Sequence, residues 1–247
     1  MKLSVIIPVY NSPELAFAHV RYCLQSERRP DEIIVVDDAS KERLADTLRL
    51  MPAPLMGDCR IVCARVNKDI QWNQAGAKNL GIWLSRGDIL AFEDVEHVPE
   101  PWLYLKALRV FETNAAVGRV AVPRCMVKKD ELLTAEGPDR KHDHTPAPGV
   151  WLARREVITA AGGYDEDFAG QYGYEDTLIL SRFFDLHVKV ATLAPKDGRY
   201  MVPANCHTPG MDRSTQRNSE LLLKKRWQKK WGGPVLRFPF EVVTING

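Results

Sequence analysis

The stretch that decides the fold is residues 87–101, Gly87-Asp-Ile-Leu-Ala-Phe-Glu-Asp-Val-Glu-His-Val-Pro-Glu-Pro101. Ile89 to Phe92 form a continuous apolar run, which predicts a short strand buried on both faces. Four ionisable side chains then follow within five positions: Glu93, Asp94, Glu96 and His97. Such a cluster at a buried strand end is costly unless a partner offsets the lost hydration of its charges.

A divalent cation would be such a partner. In an extended segment Asp94 and Glu96 point to the same side while Val95 faces the core, so both carboxylates can reach one metal ion. The alternative is a solvated acidic turn that caps a helix beginning near Pro99. The stretch alone leaves both interpretations open, although strand-end acids are common at functional sites.

Length and composition bound the class of protein. The chain has 247 residues, of which 45% are hydrophobic and 27% charged, values typical of one large globular domain or two small ones. The net charge of +2 is too balanced to indicate nucleic-acid binding by itself.

The N-terminal residues and the cysteines bear on location. Pro8 and the polar Asn11 interrupt the first apolar run too early for a signal-peptide core, and no apolar stretch approaches the ~18 residues that span a bilayer. Five cysteines, an odd number, fit reduced thiols better than a disulfide framework. We therefore expect a cytoplasmic protein without a transmembrane segment.

Strands alternate with helices through the first part of the chain. The pattern predicts strands at 3–9, 32–36, 60–66 and 88–92, separated by helices at 13–27, 41–50 and 72–85. This alternation predicts a parallel sheet with right-handed crossovers, whose ligands bind beyond the carboxyl ends of the strands. The loops at 8–11, 37–38, 67–68 and 93–97 converge there. The sequence has neither Gly-x-Gly-x-x-Gly after the first strand nor a P-loop, which argues against both phosphate cradles.

Five motifs in order carry a resemblance to a known family: Val5-Ile-Ile-Pro-Val-Tyr-Asn11, Val35-Val-Asp-Asp-Ala-Ser40, Gly76-Ala-Lys-Asn-Leu-Gly81, Gly162-Gly-Tyr-Asp-Glu-Asp-Phe168 and Gly173-Tyr-Glu-Asp176. Together they resemble family 2 glycosyltransferases of the GT-A fold. The resemblance implies an α/β protein, a Rossmann-like α/β/α sandwich with a mostly parallel central sheet. It further implies a single GT-A glycosyltransferase domain over 1–247, with a nucleotide-binding half (1–98) and an acceptor-binding half (99–247).

The activity implied by the resemblance is transfer of a sugar from a nucleotide-diphosphate donor, usually a UDP-sugar, to a hydroxyl with inversion at the anomeric carbon. The donor would be bound by Pro8, Val9, Tyr10, Asn11, Asp37, Asp38, Lys78 and Glu93. Asp38 would contact the base. Lys78 stands where the family commonly has an arginine near the diphosphate; the alternative is a solvated helix lysine.

The family's Asp-x-Asp metal motif corresponds to Asp94-Val95-Glu96 in this chain. Glutamate has the same charge but one more methylene, so Mn²⁺ or Mg²⁺ remains the implied cofactor with the choice between them open. His207 is the implied third ligand, or else a histidine in a polar loop. His97 is a ligand or a donor that orients a carboxylate.

The implied catalytic pair is Asp176, as general base, and Glu175, which would orient the acceptor. Both begin a predicted helix at 176–185, whose positive N-terminus would help to keep them ionised. A glycine- and tyrosine-rich lip at 168–174 would stack on a sugar, and a mobile loop at 128–149 would cover the site. Implied acceptors are a glycan, a lipid-linked oligosaccharide or another hydroxyl, and a nucleic acid is not excluded.

The predicted C-terminal helix, 218–231, carries five basic residues with Trp227 and Trp231 between them. It could contact a nucleic acid or an anionic membrane. We prefer a structural role, because Lys230-Trp231-Gly232 resembles the structural end of the family's fold. Three rivals to the main function remain: a nucleotidyltransferase, a retaining enzyme and a non-catalytic sugar-nucleotide-binding protein.

Overall fold

A computed structural model of the chain describes residues 1–127, 145–203, 211–233 and 235–246. The strands, in chain order, are β1 (Leu3–Val9), β2 (Glu32–Asp37), β3 (Arg60–Val66), β4 (Ile89–Phe92), β5 (Val98–Pro99), β6 (Val117–Ala121), β7 (Arg124–Val127), β8 (Trp151–Arg154), β9 (Lys189–Thr192), β10 (Tyr200–Pro203) and β11 (Phe240–Thr244). The helices are α1 (Pro13–Gln25), α2 (Leu44–Leu48), α3 (Ala53–Met56), α4 (Gln74–Leu84), α5 (Leu103–Thr113), α6 (Arg155–Ala161), α7 (Glu175–Asp185) and α8 (Gln216–Gln228), with a 3-10 turn at Glu166–Phe168.

The central sheet has the order β11-β3-β2-β1-β4-β8-β6-β9. Its middle strands β3, β2, β1 and β4 are mutually parallel, as predicted, whereas β8 lies antiparallel between β4 and β6. β11 closes one edge antiparallel to β3. A smaller sheet, in the order β5-β10-β7, lies beside it. Residues 1–98 and 99–247 therefore both contribute strands to the central sheet.

Helices cover both faces of this sheet because its strand residues alternate between two cores. Val5 and Ile7 of β1 belong to the core that includes α1 and α5. Ile6, between them, belongs to the opposite core, which includes α4, α6 and α7. This is the α/β/α arrangement expected from the continuous apolar strands.

Prolines account for several shifted boundaries. The helix predicted at 41–50 is shortened to α2, and a second short helix, α3, follows Pro52 beyond the predicted range. The strand β6 ends at Ala121, close to Pro123, which has no N–H to donate. Pro99 does not begin a helix: it pairs with Tyr200 in the small sheet. The acidic stretch 93–97 therefore does not cap a helix starting near Pro99.

The expected absence of a transmembrane segment and the expected reduced cysteines can be compared with the described residues. None of the helices described is both long enough and apolar enough to cross a bilayer. Cys23, Cys59, Cys63 and Cys125 are buried free thiols. Burial raises the pKa of Cys59 and of Cys63 to about 12, so these thiols are protonated and unreactive.

Candidate active site

A cavity of about 620 Å³ opens beyond the carboxyl ends of β1 and β4. Its walls come from segments far apart in sequence: the end of β1, the acidic residues after β4, the turn before β8 and the start of α7. Parallel strands bring their carboxyl ends to one edge of the sheet, which is why these segments meet. The sequence predicted this location.

On one side the cavity is lined by Pro8, Val9, Tyr10 and Asp38, four of the residues predicted to contact the donor. Asn73 Nδ2 donates a hydrogen bond of 2.9 Å to Asp38 Oδ1 and so fixes the carboxylate. Burial raises the pKa of Asp38 to about 7, against the effect of this hydrogen bond. The side chain can therefore accept or donate a hydrogen bond near neutral pH.

Asp37 and Asn11 do not line this cavity. Asp37 is buried, and its oxygens accept hydrogen bonds from the Ser40 backbone N–H, at 2.9 Å, and from Arg65 Nη1, at 2.6 Å. Asn11 joins the same turn, because its N–H donates to Ser40 Oγ and its Oδ1 accepts from the Lys41 N–H. Both residues hold the loop that presents Asp38.

Glu93 also lies behind the cavity wall rather than in it. The carboxylate is fully buried, with Oε1 2.8 Å from the Tyr200 hydroxyl and Oε2 2.7 Å from His19 Nε2. The Tyr104 hydroxyl donates to it as well, at 2.9 Å. His19 Nδ1 lies 3.0 Å from the Val95 carbonyl. The expected contact of Glu93 with the donor is thus corrected: these partners occupy its oxygens, and the group fixes the acidic loop from below.

Lys78 is fully buried beneath the cavity floor, not solvated on a helix surface. Its Nζ lies 3.0 Å from Asp176 Oδ1 and 3.4 Å from Asp94 Oδ1, and it donates to the Gly149 carbonyl at 3.3 Å. Burial alone would lower the pKa of Lys78, but Asp176 and Asp94 outweigh burial and raise it well above its usual value. The ammonium group therefore stays charged and joins the acidic loop to α7.

Gly149 makes this approach possible. A methyl group built on its Cα would lie 2.8 Å from Asp176 Oδ2 and 2.9 Å from Asp94 Oδ2. Any side chain here would therefore push the two carboxylates apart. Gln74 Nε2 also donates a 2.6 Å hydrogen bond to Asp94 Oδ1 and so helps to hold this carboxylate.

Glu175 and Asp176 both line the cavity, at the first turn of α7. Burial, followed by the charge of Asp176, raises the pKa of Glu175 to about 8. Burial raises the pKa of Asp176 as well, against the opposing effect of Lys78. The expectation that the helix N-terminus keeps both acids ionised is therefore wrong for Glu175, because loss of hydration outweighs the helix dipole.

Asp94, Glu96 and His97 could hold a metal ion, since one ligand atom from each lies within 4.8 Å of the others. Both ring nitrogens of His97 are buried without a hydrogen-bond partner among the described residues. Burial lowers the pKa of His97 to about 3, so the imidazole is neutral and has a free lone pair. Two carboxylates and one imidazole suit a divalent cation. His207, the predicted third ligand, lies outside the described residues.

The cavity wall beside Glu175 is aromatic. The rings of Trp72 and Tyr172 are 4.7 Å apart, and the Arg213 guanidinium lies over both, at 5.8 and 5.3 Å from their centroids. The lip at 168–174 is tied down, because Asn218 Nδ2 donates to three of its carbonyls. Part of the predicted covering loop, 128–144, lies outside the described residues, but the turn at 147–149 lines the cavity.

Sequence reasoning missed Asn73, Gln74, Gly149, Trp72 and Arg213. Asn73 precedes α4 and Gln74 begins it. As two amides just before the Gly76–Gly81 motif, they gave a weak sequence signal. Gly149 follows Pro146 and Pro148 in a stretch that predicts only a loop. No sequence pattern indicates that it meets two carboxylates from segments on either side of it in the chain.

Comparison with known proteins adds to this geometry. A family model described as "Glycosyl transferase family 2" matches residues 4–159. A stretch of 120 residues, 47% of this chain, is 31% identical to chondroitin synthase of Escherichia coli and covers 17% of that protein. The matched stretches span 11% to 35% of the lengths of the sequence relatives.

Two solved structures resemble the fold over most of its length. One is TarS 1–349 of S. aureus in complex with UDP-GlcNAc, with a TM-score of 0.70 at 14% identity, covering 91% of this chain and 66% of that one. The other is the mannosyltransferase PcManGT from Pyrobaculum calidifontis with GDP-Man and Mn²⁺, with a TM-score of 0.64 at 16% identity, covering 95% and 66%. At these identities the likeness shows the fold alone, and it confirms the predicted GT-A type α/β architecture.

Proposed function

Because the chain belongs to the glycosyl transferase family 2, we propose that it transfers a sugar from a UDP-sugar to an acceptor hydroxyl, with inversion at the anomeric carbon. One observation carries the proposal: a single cavity is lined by Asp38, by the acidic loop at Asp94 and Glu96, and by the pair Glu175 and Asp176. Sugar transfer from a nucleotide sugar needs all three groups: one for the base of the donor, one for its diphosphate and one for the acceptor hydroxyl.

The relatives support this donor class. TarS was solved with UDP-GlcNAc and PcManGT with GDP-Man and Mn²⁺, so both similar folds hold a nucleotide-diphosphate sugar. In this chain the nucleoside would lie against Pro8, Val9 and Tyr10, with Asp38 hydrogen-bonded to the base. The aromatic wall of Trp72 and Tyr172 favours a sugar ring as the acceptor's binding group.

Asp94 and Glu96, with His97, would hold a divalent cation, Mn²⁺ or Mg²⁺. When bound, the cation would supply Lewis-acid stabilisation of the charge on the leaving diphosphate. The cluster suits a cation, because Asp94, Glu96, Glu175 and Asp176 line one cavity, and among the described residues the salt bridges of this group are those of Lys78 to Asp94 and Asp176 and of His97 to Glu96.

In the proposed transfer Asp176 removes the proton from the acceptor hydroxyl as this oxygen attacks the anomeric carbon, and the bond from that carbon to the departing nucleoside diphosphate breaks on the opposite face. Lys78, 3.0 Å from its Oδ1, favours the carboxylate that a base requires. Glu175, protonated near neutral pH, would donate a hydrogen bond to a second acceptor oxygen and orient it.

The experiment compares Asp176→Asn with Glu175→Gln in single-turnover transfer, with UDP-sugars as donors and Mn²⁺ present. Asp176→Asn keeps the shape of the side chain but cannot take a proton, so transfer should fall about 10²- to 10⁴-fold while the donor still binds. Glu175→Gln should mainly raise the apparent acceptor constant. Asp185→Asn, at the exposed far end of the same helix, is the control and should be unaffected.

The rival functions predict different experimental results. A binding protein shows donor-induced thermal stabilisation but no turnover with any acceptor. A retaining enzyme gives the opposite product anomer by proton resonance. Transfer at the parental rate by Asp176→Asn would remove Asp176 as the base.

A further inference from the structure

One side of α8 carries large hydrophobic side chains that are mostly exposed. Leu223 and Trp227 are 68% and 89% exposed, and Trp227 is the most exposed large hydrophobic side chain described. They lie four residues apart, so they occupy the same side of the helix one turn from each other. We call these two residues, with the neighbouring Lys224, Arg226, Lys229 and Lys230, the α8 outer face.

The opposite side of α8 is firmly bound, so this exposure does not come from a loosely placed helix. Asn218 and Leu222 are buried. Lys225 Nζ lies 2.7 Å from Asp165 Oδ2 and 2.6 Å from Asp167 Oδ2. The contacts that bind this helix to the rest of the fold thus lie on its inner side, and Leu223 and Trp227 lie away from them.

The four cationic residues of the α8 outer face differ from Lys225. All four are exposed, and none forms an ion pair within the part of the chain that the structure describes. The whole chain has a net charge of only +2, so positive charge is concentrated here. Glu220 is the one exposed acid on the same helix.

We propose that the α8 outer face docks on an anionic lipid bilayer. Each basic residue near such a surface is attracted to it, and indole rings prefer the headgroup region. A single-stranded nucleic acid would also use the lysines and Trp227. Leu223 decides between them: an isobutyl side chain cannot stack on a base, but it gains from entering the acyl boundary beside the indole.

Docking in this way leaves the cavity open. Thr215 lines the cavity directly before α8, and Trp227 lies twelve residues further on, about 18 Å along the helix axis at 1.5 Å per residue. The surface is therefore separate from the proposed site, and the inference does not depend on the proposed activity.

The test is partition of the full chain onto vesicles of phosphatidylcholine with ~30% phosphatidylglycerol, against pure phosphatidylcholine, by co-sedimentation at low and high salt. We expect binding to the anionic vesicles alone, weakened by salt. Trp227→Ala should lower the partition coefficient about 10-fold or more, as an inserted indole buries a large apolar area. Replacing Lys229 and Lys230 by glutamine should lower it about 30-fold, at roughly five-fold per charge.

Trp83→Phe is the matched control, because Trp83 is 64% exposed on α4 and outside the α8 outer face. The blue shift of tryptophan emission on anionic vesicles should persist in this variant and disappear in Trp227→Ala. The proposal is overturned if the chain binds both vesicles equally or neither. It is also overturned if the α8 variants partition like the parent, or if a single-stranded oligonucleotide and not the vesicles changes the emission of Trp227.

Discussion

His97 differs from His19, the other buried histidine near the acidic loop, in what surrounds its ring. Both nitrogens of His19 face oxygen atoms, of Glu93 and of Val95, at 2.7 and 3.0 Å. Neither nitrogen of His97 has a partner among the described residues. A buried imidazole without a hydrogen bond is unfavourable, and a metal ion next to Asp94 and Glu96 would satisfy it.

We therefore predict that His97→Ala weakens Mn²⁺ binding about 10-fold or more, a loss typical of residues that hold or orient a metal. Binding is measured by calorimetry on the donor-free protein, so that the result does not depend on turnover. His187→Ala, at an exposed position, should bind Mn²⁺ like the parent. Equal affinity in His97→Ala and the parent would show that the histidine is no ligand.

At the scale of elements, α8 organises the loop that precedes the catalytic pair. Asn218 is buried on its inner side, and its Nδ2 donates to the carbonyls of Phe168, Gln171 and Gly173 at 3.0, 2.7 and 3.0 Å. Tyr172, in the aromatic wall, lies between two of these carbonyls in the chain. A helix from the end of the chain thus shapes the proposed acceptor side.

Asn218→Ala should accordingly destabilise the protein by about 2–4 kcal/mol, because it leaves buried carbonyls without a donor. For a chain of this size that corresponds to a fall in Tm of roughly 4–16 °C. Ser219→Ala is the control, since its hydroxyl donates only within the helix, to the Gln216 carbonyl. If both variants melt at the parental temperature, Asn218 does not hold the loop.

A strand could be predicted from the sequence when its burial leaves a clear pattern of hydrophobic residues. β1 to β4 were found because parallel strands covered on both faces are continuously apolar, as in Ile89 to Phe92. β9, by contrast, is mostly exposed along Lys189–Thr192 and has no hydrophobic pattern to detect. β5 and β10 are two and four residues long, and their pairing depends on contacts about 100 residues apart.

Across the whole molecule, motif spacing predicted which acids meet at the sheet edge but not what balances their charge. Lys78 and Asp176 are 98 residues apart in sequence, and only the folded chain brings Nζ within 3.0 Å of the carboxylate. Glu93 adjoins Asp94 in sequence yet points away from the cavity, to Tyr104 and Tyr200. Side-chain direction at a strand end depends on packing that a single sequence does not display.

The buried carboxyl groups of the cavity make the free energy of unfolding depend on pH. The pKa values of Asp38 and Glu96 are raised to about 7 and that of Glu175 to about 8, chiefly by burial. In the unfolded chain these groups titrate near pH 4. The folded state therefore binds more protons between about pH 4.5 and 8. By linkage, the contribution of these groups to the free energy of unfolding is complete below about pH 4 and is lost as pH rises from there to about 8.

We predict that the Tm of the metal-free protein falls by several degrees between pH 6 and 8, and that saturating Mn²⁺ flattens this fall by pairing with the ionised carboxylates. Each proton retained only by the folded state changes the free energy of unfolding by about 1.4 kcal/mol per pH unit. Glu175→Gln, which stays neutral, should reduce the slope without metal, whereas Glu220→Gln on the exposed side of α8 should not. Scanning calorimetry of four samples across this pH range decides the matter: the parent and the two variants with chelator, and the parent again with Mn²⁺ in place of chelator. A Tm that rises with pH in the metal-free parent, or a slope in Glu175→Gln equal to the parent's, would mean that the cavity acids are already ionised in the folded protein and that their charge is balanced by groups other than a bound cation.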